Sequence, residues 1–164
     1  MVAMLSAENI YASTAANRAE ADSRYRHFAH VHGDHLTLLA IWRAYDKVRN
    51  TGNGDRGGLT AWCRSNSINE RSLKKACDVR KQLRMLCGRK NIPVQTCGDE
   101  LDEVRKCLAA GLFLNCASRG EGGTYVTLMD HQEVNIHPSS VLKSAKKKPS
   151  HLIYSEVRPL LPAK

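Results

Sequence analysis

The spacing of apolar residues in this chain changes once, at the glycine-rich stretch SRGEGG, residues 118–123. Before this stretch apolar residues recur every three or four positions, as they do on one face of an α-helix. After it they alternate with polar residues, as they do in β-strands. Because each period fits one kind of element, the pattern predicts an α+β chain, mainly a helical bundle followed by a small antiparallel β module.

Three segments before the glycines have helical periodicity. Asp34 opens the first, and we expect its carboxylate to cap the helix by accepting hydrogen bonds from backbone N–H groups of the first turn. The second runs from about Asn69 to Cys87, with Gly88 as its stop, and the third begins at Asp99. A charged helical lead-in, NRAEADSRYRHF, precedes them, and the glycines of NTGNGDRGGL predict a loop.

The β module is predicted from three short stretches. TYVTLMD and EVNIHP indicate two strands around a polar turn, and HLIYSEV indicates one more strand after the basic linker KSAKKKPS. Tyr125 and Tyr154 are the aromatic residues of this module on which a nucleic-acid base is expected to stack.

Positive charge dominates the composition. Lys and Arg number 25 against 16 Asp and Glu, so the net charge is +9. Phosphate-rich partners are attracted by such a charge, which makes nucleic acid the first class of partner expected and an anionic membrane surface the second. A cationic helix face is also common as a merely solvated face, so that alternative stays open.

No stretch approaches the roughly 20 apolar residues that cross a bilayer, and the expected location is intracellular.

The sequence carries no familiar catalytic motif. It lacks a G-x-x-x-x-G-K-[ST] phosphate loop, a G-x-S-x-G elbow and an H-E-x-x-H metal motif. His27, His30, His32 and His35 are the best metal candidates, but they lack the i, i+4 spacing of paired helical ligands and no C-x-x-C accompanies them. We therefore expect packing or solvated histidines rather than a metal site. The six cysteines are expected to be reduced thiols.

Four stretches, in order, resemble the C-terminal region of DEAH-box RNA helicases. They are MLSAENIY, RHFAHVHGDHLTLLAIWRAY, WCRSNSINERSLKKACDVRKQL and VRKCLAAGLFLNCASRGEGGTYVTLMDHQEVNIHPSSVL. The resemblance covers approximately Met4 to Tyr154. It implies a helicase-associated, or ratchet, helical domain followed by an OB-like fold, both packed beside two RecA-like domains around a channel for single-stranded RNA.

The resemblance also implies a division of the chain. Residues 1–33 are the charged lead-in at the exit of a winged-helix region, residues 34–120 the helicase-associated domain and residues 121–164 the OB-like module. The stretch GDHLTLLAIWRAY is then part of the wall of the RNA channel. In it Leu38, Trp42 and Tyr45 are expected to pack, and His35 is expected to form structural hydrogen bonds. The prolines of the tail VRPLLPAK argue against a paired strand, so we expect an incomplete barrel and a chain that is a fragment or a diverged single module.

On this resemblance the chain is an RNA-binding accessory module that lines the RNA channel and has no catalytic site. The RNA contacts expected are Arg71, Lys74 and Lys75 on the second helix and His137, Ser139 and Lys143 on the β module. The motifs that bind ATP and Mg²⁺ lie in the RecA-like domains of the parent helicase, so no cofactor or metal is expected in this chain.

The expected partners are single-stranded RNA, a RecA-like helicase core and proteins of the spliceosome or of ribosome assembly. The expected location is the nucleus, and no membrane is expected as a partner. The alternative is a protein-interaction fragment that docks onto a helicase core or its cofactor through an apolar surface. An enzyme in its own right would require a catalytic site of a kind that no motif indicates.

Overall fold

The computed structural model describes residues 1–7, 9–12, 18–51 and 56–158. Packing divides the chain into two compact units, Met1–Val94 and Gln95–Lys164. The resemblance instead sets domain limits after residues 33 and 120, and these limits stay predictions. Part of the predicted glycine loop, residues 52–55, and most of the predicted tail, residues 159–164, lie outside the described residues.

The first unit is helical in its described part. Its helices are α1 (Val2–Leu5), α2 (Arg18–Arg26), α3 (Asp34–Asn50), α4 (Arg56–Ser65) and α5 (Glu70–Arg89). Helix α1 packs against α3 and α5, and α4 also packs against both of them. Ile41, Leu73 and Ala76 are fully buried between these helices. This is the expected helical bundle, and α2 confirms that the charged lead-in is helical.

The segment after α1 is tied to the turn between α4 and α5. The backbone N–H of Ala12 donates to the carbonyl of Ser67 (2.9 Å), and that of Asn69 donates to Ile10 (2.8 Å). The pairing is antiparallel and is centred on Tyr11 and Ile68. It fixes the start of α5 against the rest of the bundle.

Helix α3 begins one residue earlier than a capping role for Asp34 requires. Gly33 is the N-cap, with φ at 103°, and no side chain caps the helix. A positive φ suits glycine, which has no Cβ, and this sets the boundary. The carboxylate of Asp34 lies in the first turn and accepts a hydrogen bond from the Tyr25 hydroxyl at 3.0 Å. The predicted cap is therefore wrong, although a negative charge in this turn still favours the helix.

Helix α5 confirms the second predicted helix but extends beyond its predicted end. Asn69 is the N-cap, and its side-chain oxygen accepts from the N–H groups of Arg71 (3.0 Å) and Ser72 (3.4 Å). Gly88, the predicted stop, lies inside the helix, which ends at Arg89. A glycine ends a helix where it adopts a positive φ, and Gly88 keeps a helical backbone.

Helix α4 occupies part of the stretch that was predicted to be a loop. It begins at Arg56 and contains two glycines in its first turn. Leu59, Trp62 and Cys63 pack against the core. Burial of these three residues compensates for the low helix propensity of the glycines, which dominated the local pattern.

The second unit contains α6 (Leu101–Gly111) and a small antiparallel sheet. The strands are β1 (Cys116–Arg119), β2 (Tyr125–Thr127), β3 (Glu133–Val134) and β4 (His151–Ile153), in the order β3-β2-β1-β4. Strands β2, β3 and β4 confirm the three predicted strands, and the α+β class is confirmed with them. Strand β1 was missed, because its residues follow the helical pattern of α6; pairing with β2 and β4 on its two sides determines its structure.

Candidate nucleic-acid interface

The outer face of α5 presents the cations expected to contact RNA. Leu73 and Ala76 point into the core, and Arg71, Lys74 and Lys75 lie exposed on the opposite side. Arg71 and Lys75 are four residues apart, so their side chains are neighbours on the helix surface. The structure therefore brings the three predicted cations of the first unit to one surface.

Lys74 differs from its neighbours because it has an acidic partner. Its ammonium nitrogen lies 2.6 Å from Oε1 of Glu70, one turn earlier. Oε2 of Glu70 also accepts a hydrogen bond from the Thr60 hydroxyl at 2.9 Å. The hydrogen bonds from Lys74 and Thr60 lower the pKa of the Glu70 carboxyl. The positive charge of Lys74 is thus partly compensated within the helix.

Arg71 and Lys75 form no ion pair within the described ranges. Lys81, farther along the helix, lies 4.0 Å from an oxygen of Asp78. Arg80 faces inward, with its guanidinium carbon 5.5 Å from the centre of the Trp42 ring. Among the cations of α5 that were predicted to contact RNA, Arg71 and Lys75 are the most available to an external phosphate.

The predicted polar residues of the β module form a local cluster on the second unit. His137 Nδ1 lies 2.7 Å from the Ser139 hydroxyl and accepts a hydrogen bond from the Ser139 backbone N–H at 3.2 Å. Both side chains are exposed, and so is Lys143. The short contact orients His137 and Ser139 together, so the imidazole and the hydroxyl face solvent as one polar group. This cluster and the face of α5 belong to different units, and each forms a surface by itself.

The expected stacking role of Tyr125 is wrong. Tyr125 is 1% exposed, its hydroxyl donates to the carbonyl of Pro149 at 2.7 Å, and burial raises its pKa. No base can reach its ring. Tyr154 is half-buried, whereas Phe113 is 68% exposed. The exposure of Phe113 was not expected, because this residue directly follows the apolar stripe of α6, where the sequence predicts packing.

The four histidines surround the start of α3. The backbone N–H of His30 donates to the Thr37 hydroxyl (3.0 Å), and His30 Nδ1 accepts from the N–H of His32 (3.2 Å). Burial lowers the pKa of His35. Leu36, Trp42 and Tyr45 are buried along the same helix, so this stretch is a packed part of the bundle. In the described part of the chain no three His, Cys, Asp or Glu side chains are placed to hold a metal ion.

Among the described residues, none of the helices has the length and apolar character needed to cross a membrane. The six cysteines, all of them described, form no disulfide. Cys63 is buried, and its burial raises the thiol pKa to about 11. A thiol with such a pKa is protonated near neutral pH, so Cys63 acts as a small core residue.

Comparison with protein families gives a match in the second unit. Residues 104–159 match the family described as the oligonucleotide/oligosaccharide-binding (OB) fold. The matched range contains most of α6 and all four strands of the sheet described above.

Curated relatives match almost the whole chain. It is 40% identical over 162 residues to the pre-mRNA-splicing factor ATP-dependent RNA helicase DEAH10 of Arabidopsis thaliana. This match spans 95% of this chain and 22% of the relative. It is 34% identical to the human ATP-dependent RNA helicase DHX33 and 35% identical to the human probable ATP-dependent RNA helicase DHX35, each over 96% of this chain and 21% of the relative. The chain thus spans about a fifth of the length of these relatives.

The four ordered stretches, the helical bundle with its small antiparallel sheet and the OB-fold match agree with one another. Over almost its whole length, the chain therefore matches the C-terminal region of the DEAH-box ATP-dependent RNA helicases.

Proposed function

We propose that this chain is an RNA-binding accessory module of a DEAH-box ATP-dependent RNA helicase and that it lines the path of single-stranded RNA. ATP and Mg²⁺ are bound by the RecA-like core of such a helicase, and this chain contributes cations and hydrogen-bond donors. The observation that carries the proposal is the pair of exposed cations on α5, Arg71 and Lys75, which form no ion pair among the described residues.

The chemistry of these residues suits the phosphate backbone rather than the bases. Arg and Lys donate hydrogen bonds to phosphate oxygens and displace counterions from the strand. Such contacts position RNA without a preference for sequence, so the strand can move through the site. Donors from His137, Ser139 and Lys143 on the second unit would add contacts of the same type.

The face of α5 is tested with the double variant Arg71→Gln, Lys75→Gln in the full chain. Binding of a labelled single-stranded uridine oligomer is followed by fluorescence anisotropy at several salt concentrations. The loss of two phosphate contacts should make the negative slope of log K against log salt shallower by about 1.4, that is, by about 0.7 per contact.

The matched control is Arg105→Gln, Lys106→Gln on α6, which removes the same charge from two side chains that are paired with Asp102 and Glu103. The control should keep the wild-type slope. If both double variants change the slope equally, only net charge matters and the assignment of the α5 face is lost.

For the biological process we propose a nuclear role in pre-mRNA splicing or ribosome assembly. The Arabidopsis relative is a pre-mRNA-splicing factor, which supports splicing. Affinity purification of the tagged chain from nuclear extract distinguishes the two processes. Recovery of spliceosomal RNAs supports splicing, recovery of ribosomal precursor RNA supports ribosome assembly, and recovery of neither contradicts the proposal.

A second candidate function is docking onto a helicase core or its cofactor, and one observation favours it. Met85 and Leu86 at the end of α5 are 58% and 52% exposed, and Ile92 and Val94 just after the helix are each 56% exposed. A contiguous patch of exposed apolar side chains is typical of a protein contact, and Met85 and Leu86 are neighbours in the chain. The variant Met85→Ser, Leu86→Ser should abolish nuclease-resistant recovery of a helicase core while RNA affinity is unchanged. Nuclease-resistant recovery at the wild-type level would contradict this function.

A further inference from the structure

The connection between β3 and β4 carries a cluster of lysines that the expected RNA contacts include only in part. We name residues 137–150 the lysine loop. Lys143, Lys146 and Lys147 are exposed in it, and none of them forms an ion pair within the described ranges. Three uncompensated positive charges within five residues attract an anion strongly.

Lys148 has a different role, because its ammonium group turns back into the loop. Its Nζ donates to the carbonyls of Leu142 (2.8 Å) and Lys143 (2.5 Å). These carbonyls belong to the short 3-10 helix Val141–Ser144, and that of Leu142 also accepts a hydrogen bond from the backbone N–H of Ala145 at 3.3 Å. Lys148 therefore holds the chain in a curve, and the three other lysines lie on that curve.

Further bonds hold the loop at its beginning and end. The Ser140 hydroxyl accepts from the backbone N–H of Leu142 at 3.2 Å, at the start of the 3-10 helix. The buried Tyr125 donates to the carbonyl of Pro149 (2.7 Å), and the N–H of Arg119 donates to the carbonyl of Ser150 (2.7 Å). Because the backbone is fixed before a ligand arrives, binding costs less conformational entropy than it would for a free linker.

We propose that the lysine loop is a preformed binding surface for the phosphates of single-stranded RNA, with Lys143, Lys146 and Lys147 as the contacts and Lys148 as a positioning residue. The inference rests on the proposed function, since it concerns the same ligand. It adds a surface on the second unit in which Lys146, Lys147 and Lys148 take roles beyond the contacts expected from the sequence. Binding through phosphates alone should be equal for oligomers of different base sequence.

The contacts are tested with Lys146→Gln and Lys147→Gln in the full chain, by anisotropy with the labelled uridine oligomer over a range of salt concentrations. Each variant should reduce the slope of log K against log salt by about 0.7, the value for one phosphate contact on a single strand. Lys106→Gln on α6 removes one charge from a side chain that is paired with Glu103, and it should leave the slope unchanged. Equal slopes for wild type, Lys146→Gln and Lys147→Gln would overturn the proposal.

The positioning role is tested with Lys148→Gln and Tyr125→Phe. Lys148→Gln should reduce the slope by at least twice the change measured for Lys146→Gln, because the lysines that it holds lose their arrangement. Tyr125→Phe changes no charge, and it should weaken binding by about threefold to tenfold, since it removes the hydrogen bond that anchors Pro149. A change in Lys148→Gln no larger than that in Lys146→Gln, with wild-type affinity in Tyr125→Phe, would overturn the positioning role.

The outcomes separate this inference from the proposed function. If the folded wild-type chain does not bind the oligomer, both are wrong. If it binds and the α5 double variant alone reduces the slope, the function stands and the lysine loop is not a contact. Circular dichroism confirms that each variant is folded, and the exposed Lys146 and Lys147 can be replaced without disturbing the core.

Discussion

Glu70 stabilises the helical bundle through the negative charge of its carboxylate. Its carboxylate holds the Thr60 hydroxyl on α4 and the Lys74 ammonium on α5, and these bonds lower its pKa in the folded state. Because the folded-state pKa is below the unfolded value, the stabilisation is present above the unfolded pKa and is lost as the pH falls through the folded one. The contribution therefore disappears in the acidic range, below about pH 4.3.

The variant Glu70→Gln should lower the free energy of unfolding at pH 7 by about 1 kcal/mol, since the bonds from Thr60 and Lys74 are weakened. It should also flatten the loss of stability between pH 6 and pH 3. Urea unfolding at a series of pH values measures both effects, and Glu103→Gln on α6 is a control with an exposed ion pair. Parallel pH profiles for wild type and Glu70→Gln would contradict the assigned role.

At the level of single residues, the sequence predicted which side chains share a helix face better than it predicted which side chains are buried. Arg71, Lys74 and Lys75 were expected together on one face, and the structure brings them together there. The i, i+4 spacing of Glu70 and Lys74 was a signal for their pairing. The burial of Tyr125 had no comparable signal, because it depends on the pairing of β2 with the unpredicted strand β1.

Among the secondary-structure elements, α5 depends most clearly on a local interaction. Asn69 caps its first turn with bonds to the N–H groups of Arg71 and Ser72. Asn69→Ala should reduce stability by about 1 kcal/mol, as typical losses of an N-cap do, whereas Asn69→Asp should retain most of it. Thermal unfolding followed by circular dichroism compares the two variants, and equal melting temperatures would show that the cap contributes nothing.

The elements also show why helix limits were harder to predict than helix positions. Apolar periodicity located α3, α5 and α6, but the boundaries depend on backbone conformation that composition does not specify. Gly33 adopts a positive φ and starts α3, whereas Gly88 stays helical and lets α5 continue. Strand β1 was missed for a different reason, since it is formed by long-range pairing with β2 and β4.

For the whole molecule, the net charge of +9 attracts an external phosphate most strongly where cations lack an acidic partner within the chain. The proposed contacts are among the described cations that satisfy this condition: Arg71 and Lys75 on the first unit and Lys143, Lys146 and Lys147 on the second. Several other cations are neutralised by neighbouring carboxylates, so the total charge overstates the attraction. The sequence predicted the class of partner from its charge, and only side-chain pairing in the structure distinguishes available cations from paired ones.

The measurement that tests this account most directly is the salt dependence of single-stranded RNA binding by the wild-type chain, followed by fluorescence anisotropy. Each phosphate contact should contribute about −0.7 to the slope of log K against log salt, so Arg71 and Lys75 alone predict a slope of at least about −1.4, with saturable binding. The same slope is expected for uridine and adenosine oligomers, because the contacts are to phosphates. A folded chain that binds no RNA at low salt, or binds it with a slope near zero, would contradict the account.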